Sequence, residues 1–190
     1  MTHLRLVHDS AAVGSPSRRA GDQSCLDAFQ RELDYVFRTL RRLGAGPSEV
    51  EGLAQEVFLA LRGAWSEYDP TRPLRPYLFG IAFRIASARR RGRKREAGVG
   101  VVEGDDAAPG PDEALESQQA RALVLAALEE IPLPRRAVLV MHDIDGVRIL
   151  QVAAALELPM FTVYARLRKA RRELQSAMRR LLKEKGTQGP

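Results

Sequence analysis

The chain has 190 residues, with 30 Lys plus Arg against 24 Asp plus Glu, a formal charge of +6, 45% apolar residues and 6% aromatics. That length suits one ordinary domain or two small ones, and the apolar fraction can bury a core, which excludes wholesale disorder. Scarce aromatics and β-branched runs exclude a β sandwich or barrel, and the single cysteine, Cys25, excludes an internal disulfide or a thiolate zinc site.

Residues 1–23 mix Gly, Ser, Pro, Asp and Arg without period and are expected to form a flexible tail, with no secretory-signal pattern. From Ser24, the residues Leu26, Phe29, Leu33, Val36, Phe37, Leu40 and Leu43 recur at spacings of three and four. This predicts one amphipathic helix, stopped by Gly44. Ser48 and Glu51 read as a capping box that opens a second helix. Its inward face would be Val50, Leu53, Ala54, Val57, Phe58 and Leu61, with Glu49, Gly52, Gln55, Glu56 and Arg62 outward. A loop from Asp69 to Pro76, stiffened by prolines, leads into a third helix that buries Leu78, Ile81, Ala82 and Ile85. That helix runs into Arg89–Arg95, a stretch without an acid.

Composition then flips. Residues 96–114 carry Glu103, Asp105, Asp106, Asp112 and Glu113 with no Lys or Arg, and read as a flexible acidic linker. Beyond it, helices are predicted at about 113–130, 135–143, 148–157 and 161–184, followed by a short tail. No apolar run approaches the roughly 20 residues that a membrane helix needs. The expected fold is all-α, in two small helical domains.

Enzyme chemistry has little to stand on. Gly44-Ala45-Gly46 lacks a preceding strand, no phosphate-cradling loop or nucleophile elbow is present, and His142-Asp143 reads as a surface or capping pair. No catalytic residue, cofactor or metal site is expected. Nucleic-acid binding has more. A short helix patterned by Val152, Ala153 and Leu156, a tight turn at Leu158-Pro159-Met160 and a longer basic helix form a helix-turn-helix arrangement. Thr162 is expected at the helix start as an N-cap or phosphate contact. Tyr164, Ala165, Arg166, Arg168 and Lys169 would point outward along the end that enters a major groove. In the first unit, Tyr77, Phe79 and Phe83 interleave with the basic residues from Arg84 to Arg95, which suits unstacked single-stranded bases, although some of the three must also serve the core.

Several segments together resemble a bacterial RNA polymerase sigma factor of the extracytoplasmic-function group. They are Glu51-Gly-Leu-Ala-Gln-Glu-Val-Phe58, Pro76-Tyr-Leu-Phe-Gly-Ile-Ala82 with the Arg run, Leu133-Pro-Arg-Arg136, and Leu158-Pro-Met-Phe-Thr-Val-Tyr-Ala-Arg-Leu-Arg-Lys-Ala-Arg-Arg-Glu-Leu174. The resemblance implies a region 2 domain at 24–95 that binds core polymerase and the −10 element, the linker at 96–114, a region 4 helix-turn-helix domain at 115–184 that binds the −35 element, and a tail at 185–190. It implies that Gln55, Glu56 and Glu49 dock on the clamp helices of the largest polymerase subunit, with a second contact to the polymerase flap. Tyr68, Arg72 and Arg75 would lie in the loop that captures a flipped −10 base. Tyr77, Arg84, Arg89, Arg90 and Arg91 would lie along the −10 region and melting fork. It further implies a cytoplasmic factor, open to control by an anti-sigma protein. The family usually has Asp at the position of Gly52, Asn and Asp at those of Arg84 and Ala88, and commonly Glu at that of Gln151. The Gly52 change touches the polymerase contact, and the Arg84 and Ala88 changes suggest an unusual −10 preference. Two other readings are a helix-turn-helix regulator that binds operators unaided and an Arg-rich RNA-binding protein using residues 84–95.

Overall fold

The computed structural model describes residues 16–96 and 115–187, all-helical with short turns and without a strand among the described residues. The elements are α1 (Pro16–Arg31), α2 (Leu33–Arg42), α3 (Pro47–Ala64), α4 (Leu74–Glu96), α5 (Leu115–Glu129), α6 (Leu133–Leu139), α7 (Ile149–Ala155) and α8 (Met160–Thr187). A 3₁₀ turn, Trp65–Glu67, follows α3, and a π turn, Val140–Ile144, extends α6. The expected acidic linker lies outside the described residues except for Glu96, which ends α4.

Most of the periodic apolar positions are buried, whereas Leu26, Leu33, Phe37, Phe58 and Ile85 are half-buried. Val36, Leu40, Val50, Leu53, Ala54, Val57, Leu61, Leu78, Ile81 and Ala82 close the first bundle. Val152, Val163, Leu167 and Ala170, with Ala137 to Met141, close the second.

Several boundaries differ from the sequence reading. Helix begins at Pro16, inside the expected tail, and the predicted single first helix breaks at Glu32. The capping box is not Ser48 with Glu51. Helix α3 starts at Pro47, whose fixed φ suits the first helical position, so Gly46 is the N-cap and its N–H donates to Glu49 Oε2 at 3.3 Å. Helix α4 begins at Leu74, so the last part of the proline loop is its first turn. Helix α8 starts at Met160 and runs to Thr187, into the expected C-terminal tail. The Pro159 carbonyl accepts from Thr162 and Val163 N–H, which places Thr162 inside the first turn and not at the cap.

The two bundles pack against each other, and buried residues of both join one apolar core. Three contacts define the junction. Tyr35 Oη donates to Asp145 Oδ2 at 3.0 Å and Arg42 Nη1 to Asp145 Oδ1 at 2.8 Å. Arg136, 2% exposed, donates to the carbonyls of Ile131 and Glu129 at the end of α5 and abuts the α2–α3 turn at Gly44. Gly44 has φ +95°, and a Cβ there would lie 2.7 Å from Arg136 Nη1, so the position favours glycine on both counts. Third, α4 meets α7 with Gly80 against the Ala155 carbonyl.

Candidate nucleic-acid interface

Helix α4 positions the first candidate surface. Its apolar face, Leu78, Phe79, Ile81 and Ala82, is seated in the core, so Arg84, Arg89, Arg90 and Arg91 face outward. Phe79 is fully buried and cannot stack on a base, whereas Tyr77 and Phe83 are half-buried. Tyr77 belongs to an aromatic ladder: Trp65 and Tyr68 stack at 5.3 Å, and Tyr68 and Tyr77 meet tilted at 5.2 Å. Tyr68 Oη also donates to the Arg72 carbonyl at 2.6 Å, and Asp69 accepts from the Thr71 N–H and hydroxyl, which shapes the loop. The sequence reading named Tyr68 but not the ladder, whose third member, Trp65, is half-buried beside it.

The arginines divide into two groups. Arg75 pairs with Glu32 at 2.7 Å and lies over the Tyr35 ring at 5.4 Å. Arg84 pairs with Glu157, in the turn between α7 and α8, at 3.3 Å. Arg89 and Arg93 converge on Glu49 at 2.9 and 3.4 Å. By contrast, Arg72, Arg90 and Arg91 have no ion-pair partner among the described residues and are exposed.

Glu49, expected on the polymerase face, therefore has its carboxylate engaged. Burial alone would raise its pKa, but the Arg89 and Gly46 hydrogen bonds and the Arg93 charge outweigh it and hold it below the usual glutamate value. Gln55 and Glu56 are exposed on the same helix, as expected. Gly52 is exposed too, with nothing near the place of a Cβ.

The second surface is the helix-turn-helix. Helices α7 and α8 are joined by a turn in which Glu157 takes φ 54°. The Leu158 N–H closes back on the Ala153 carbonyl at 2.9 Å. Val163, Leu167 and Ala170 are buried, which fixes the rotation of α8. Phe161, Tyr164, Ala165, Arg168, Lys169 and Arg172 are exposed, whereas Thr162 and Arg166 are half-buried to one side. Arg168, Lys169 and Arg172 have no ion-pair partner among the described residues. Arg171 is held by Asp143 through two bonds of 2.8 and 2.7 Å, and Arg135 by Glu173 at 2.8 and 2.7 Å. Those Arg171 hydrogen bonds keep the Asp143 carboxyl below its usual value, with burial opposing. His142 does not face this surface; its Nδ1 lies 2.9 Å from the Val147 carbonyl. Phe161 escaped the sequence reading as a site residue, although its place at the head of a basic helix was visible there.

No group of three or more potential metal ligands exists among the described residues, and no described helix is long and apolar enough to cross a membrane.

Comparison with known proteins adds to this geometry. The family model for Sigma-70 region 2 matches residues 28–96 and that for Sigma-70, region 4 matches residues 114–174, together about two thirds of the chain. The chain is 28% identical to the ECF RNA polymerase sigma factor SigE of Mycolicibacterium smegmatis, over 92% of this chain and 74% of that protein. It is 25% identical to the ECF RNA polymerase sigma factor SigW of Bacillus subtilis, over 86% and 94%. Among solved structures, the sigma factor RpoE of Bartonella quintana, in complex with the anti-sigma factor NepR, superposes with a TM-score of 0.64 at 22% identity, over 80% of this chain and 97% of that one. CnrH, in complex with the cytosolic domain of CnrY, gives 0.58 at 21%, over 84% and 92%. At those identities the likeness is one of fold.

Proposed function

This chain belongs to the sigma-70 family, in its extracytoplasmic-function group, and on that footing we propose how its surfaces divide the work of promoter-specific initiation. The factor binds core RNA polymerase and selects promoters; it carries no chemistry of its own. Region 2 occupies α1 to α4, and region 4 occupies α5 to α8. Gln55 and Glu56, exposed on α3, dock on the polymerase clamp helices, and Glu49 supports that helix from its first turn. The flap holds the second domain. The loop at Tyr68 and Arg72, with Arg75 in the first turn of α4 and the aromatic ladder behind it, receives an unstacked −10 base. Along α4, Tyr77, Arg84, Arg89, Arg90 and Arg91 follow the melting strand. On α8, Thr162, Tyr164, Ala165, Arg166, Arg168 and Lys169 line the contact with the −35 element. The factor works in the bacterial cytoplasm, and an anti-sigma protein like the NepR bound to RpoE is its expected regulator.

The observation that carries the reading is the order of the two family matches, each falling on one helical bundle with its own cationic helix. Binding through two weak modules on a shared scaffold raises effective concentration, so neither module needs high affinity alone. The test is co-purification with core polymerase and in vitro transcription from a promoter library. Failure of both, with tight operator binding by the free protein, would leave a regulator that acts without polymerase.

A further inference from the structure

Burial fixes which line of α8 faces outward. With Val163, Leu167 and Ala170 in the core, the opposite face of the helix is headed by Phe161, followed by Ala165, Arg168 and Arg172 at intervals of four, three and four. Phe161 is 75% exposed, the highest value among the exposed large apolar side chains of the described residues. Its position is tied to the start of α8, one residue past Met160, where the Pro159 carbonyl closes the first turn. Met160 and Tyr164 beside it are exposed too, so the start of α8 presents an apolar patch next to a run of cations, which fits an apolar partner within a polyanionic ligand.

Duplex DNA offers such a partner in one place. The floor of the major groove is polar except for the C5-methyl of thymine, and Phe and Ala are among the side chains that contact it. Cytosine lacks the methyl, and purines present N7 and a polar group at the corresponding edge. Ala165, one turn below Phe161, is small enough for the helix backbone to lie close to the bases and adds a second apolar contact. Arg168 and Arg172, farther along the same line and without ion-pair partners among the described residues, meet phosphates or a guanine edge. We propose that Phe161, with Ala165, reads thymine methyl groups at the end of the upstream promoter element nearest the start of α8. This deepens the reading of α8 as the upstream-element helix and rests on it. It places base discrimination at the head of the exposed line, one residue before Thr162, and away from the half-buried Arg166.

The probe is thymine against deoxyuridine, which differ only by the methyl. Holoenzyme assembled from the full chain and core polymerase is first given a library to select its upstream element. Each thymine in either strand of that element is then replaced by deoxyuridine, and holoenzyme–promoter affinity is measured for wild type, Phe161→Ala and Phe161→Leu. Wild type is expected to lose about fourfold per contacted methyl, the equivalent of one buried methyl group. Phe161→Ala should bind the thymine promoter several-fold more weakly and lose discrimination at the thymine under the ring, keeping at most the share that Ala165 supplies, and Phe161→Leu should retain part of the ring's discrimination. An exposed side chain leaves the fold intact when truncated, so the melting temperature should not move. Wild type indifferent to every deoxyuridine, or Phe161→Ala discriminating as strongly as wild type at every position, overturns the proposal while the sigma reading stands. Loss of core-polymerase binding in Phe161→Ala, with discrimination intact, would place the ring against protein and overturn it too. A chain that forms no holoenzyme refutes the functional reading itself, and the proposal with it.

Discussion

Gly80 is where a single methyl group tests the junction of the two bundles. A Cβ at this position would lie 2.5 Å from the Ala155 carbonyl oxygen and 3.4 Å from its carbon, both backbone atoms of α7 that cannot swing aside. Relief requires α4 and α7 to part by roughly 0.5–1 Å, and overpacking of this kind costs about 1–3 kcal/mol. Within α4 the same change is favourable, because a helix-interior glycine is worse than alanine by about 1 kcal/mol. The two effects act at different places. Gly80→Ala should weaken the contact between bundles while leaving the first bundle at least as stable.

Small-angle scattering together with thermal melting separates them. The variant's average radius should exceed wild type's in proportion to the fraction of molecules in which the weakened junction has opened, and Gly80→Val should exceed it by more. Asp145→Ala should act in the same direction by removing the acceptor of Tyr35 and Arg42. An unchanged radius with a raised melting temperature, the result of helix propensity alone, would refute the steric argument.

Other outcomes follow from the remaining surfaces. Gln55→Ala with Glu56→Ala should weaken core-polymerase binding by about 1 kcal/mol or more without lowering the melting temperature, checked by titration against core enzyme. Glu49→Gln should instead cost stability, about 1 kcal/mol, because it loosens the α3 start and releases Arg89 and Arg93, as denaturant melts would show. Arg168→Ala with Lys169→Ala should reduce the salt dependence of promoter binding, lowering the log–log slope by about 2. Acid should destabilise through Glu49 and Asp143. Their folded pKa values are depressed, so their contribution is present above the ordinary carboxylate range and lost as pH falls through the folded values. Asp145 runs the other way. Burial outweighs Tyr35 and Arg42 and raises its pKa, so protonation there favours the folded chain, and carboxyl NMR titration should resolve the opposite signs.

The helices were legible because spacings of three and four survive any arrangement of neighbours. Their ends were less so. The stripe from Leu26 to Leu43 continues in phase across Glu32, so a one-residue break left no mark in the pattern. At α3 two capping signals competed, and Pro47 decided between them: its missing N–H and fixed φ suit the first helical position, which makes Glu49 rather than Glu51 the third residue. Which of Tyr77, Phe79 and Phe83 serves the core was not legible, because alternation with basic residues looks alike on either face until the helix rotation is known; Phe79 is the buried one. The junction was not legible at all. Asp145 meets Tyr35 and Arg42 across 110 and 103 positions of sequence, and neither local propensity nor periodicity carries such a pairing.

Charge shows the same division with a functional consequence. From sequence, every arginine of α4 and α8 counts equally toward a cationic surface. In the fold, Arg84, Arg89, Arg93 and Arg171 sit with carboxylates, whereas Arg90, Arg91, Arg168, Lys169 and Arg172 have no ion-pair partner among the described residues. Exposed pairs of this kind are worth at most about 1 kcal/mol, so a phosphate can displace the carboxylate at little cost. The paired arginines are therefore available to DNA but must first leave Glu49, Glu157 or Asp143, and each departure alters something else. Arg84 leaving Glu157 loosens the α4–α7 junction, and Arg89 leaving Glu49 loosens the start of α3. DNA contact through the paired group is coupled to the junction and to α3, while contact through Arg90, Arg91, Arg168, Lys169 and Arg172 is not. Substituting the unpaired cations should change affinity alone, and substituting the paired ones should change affinity and shape together.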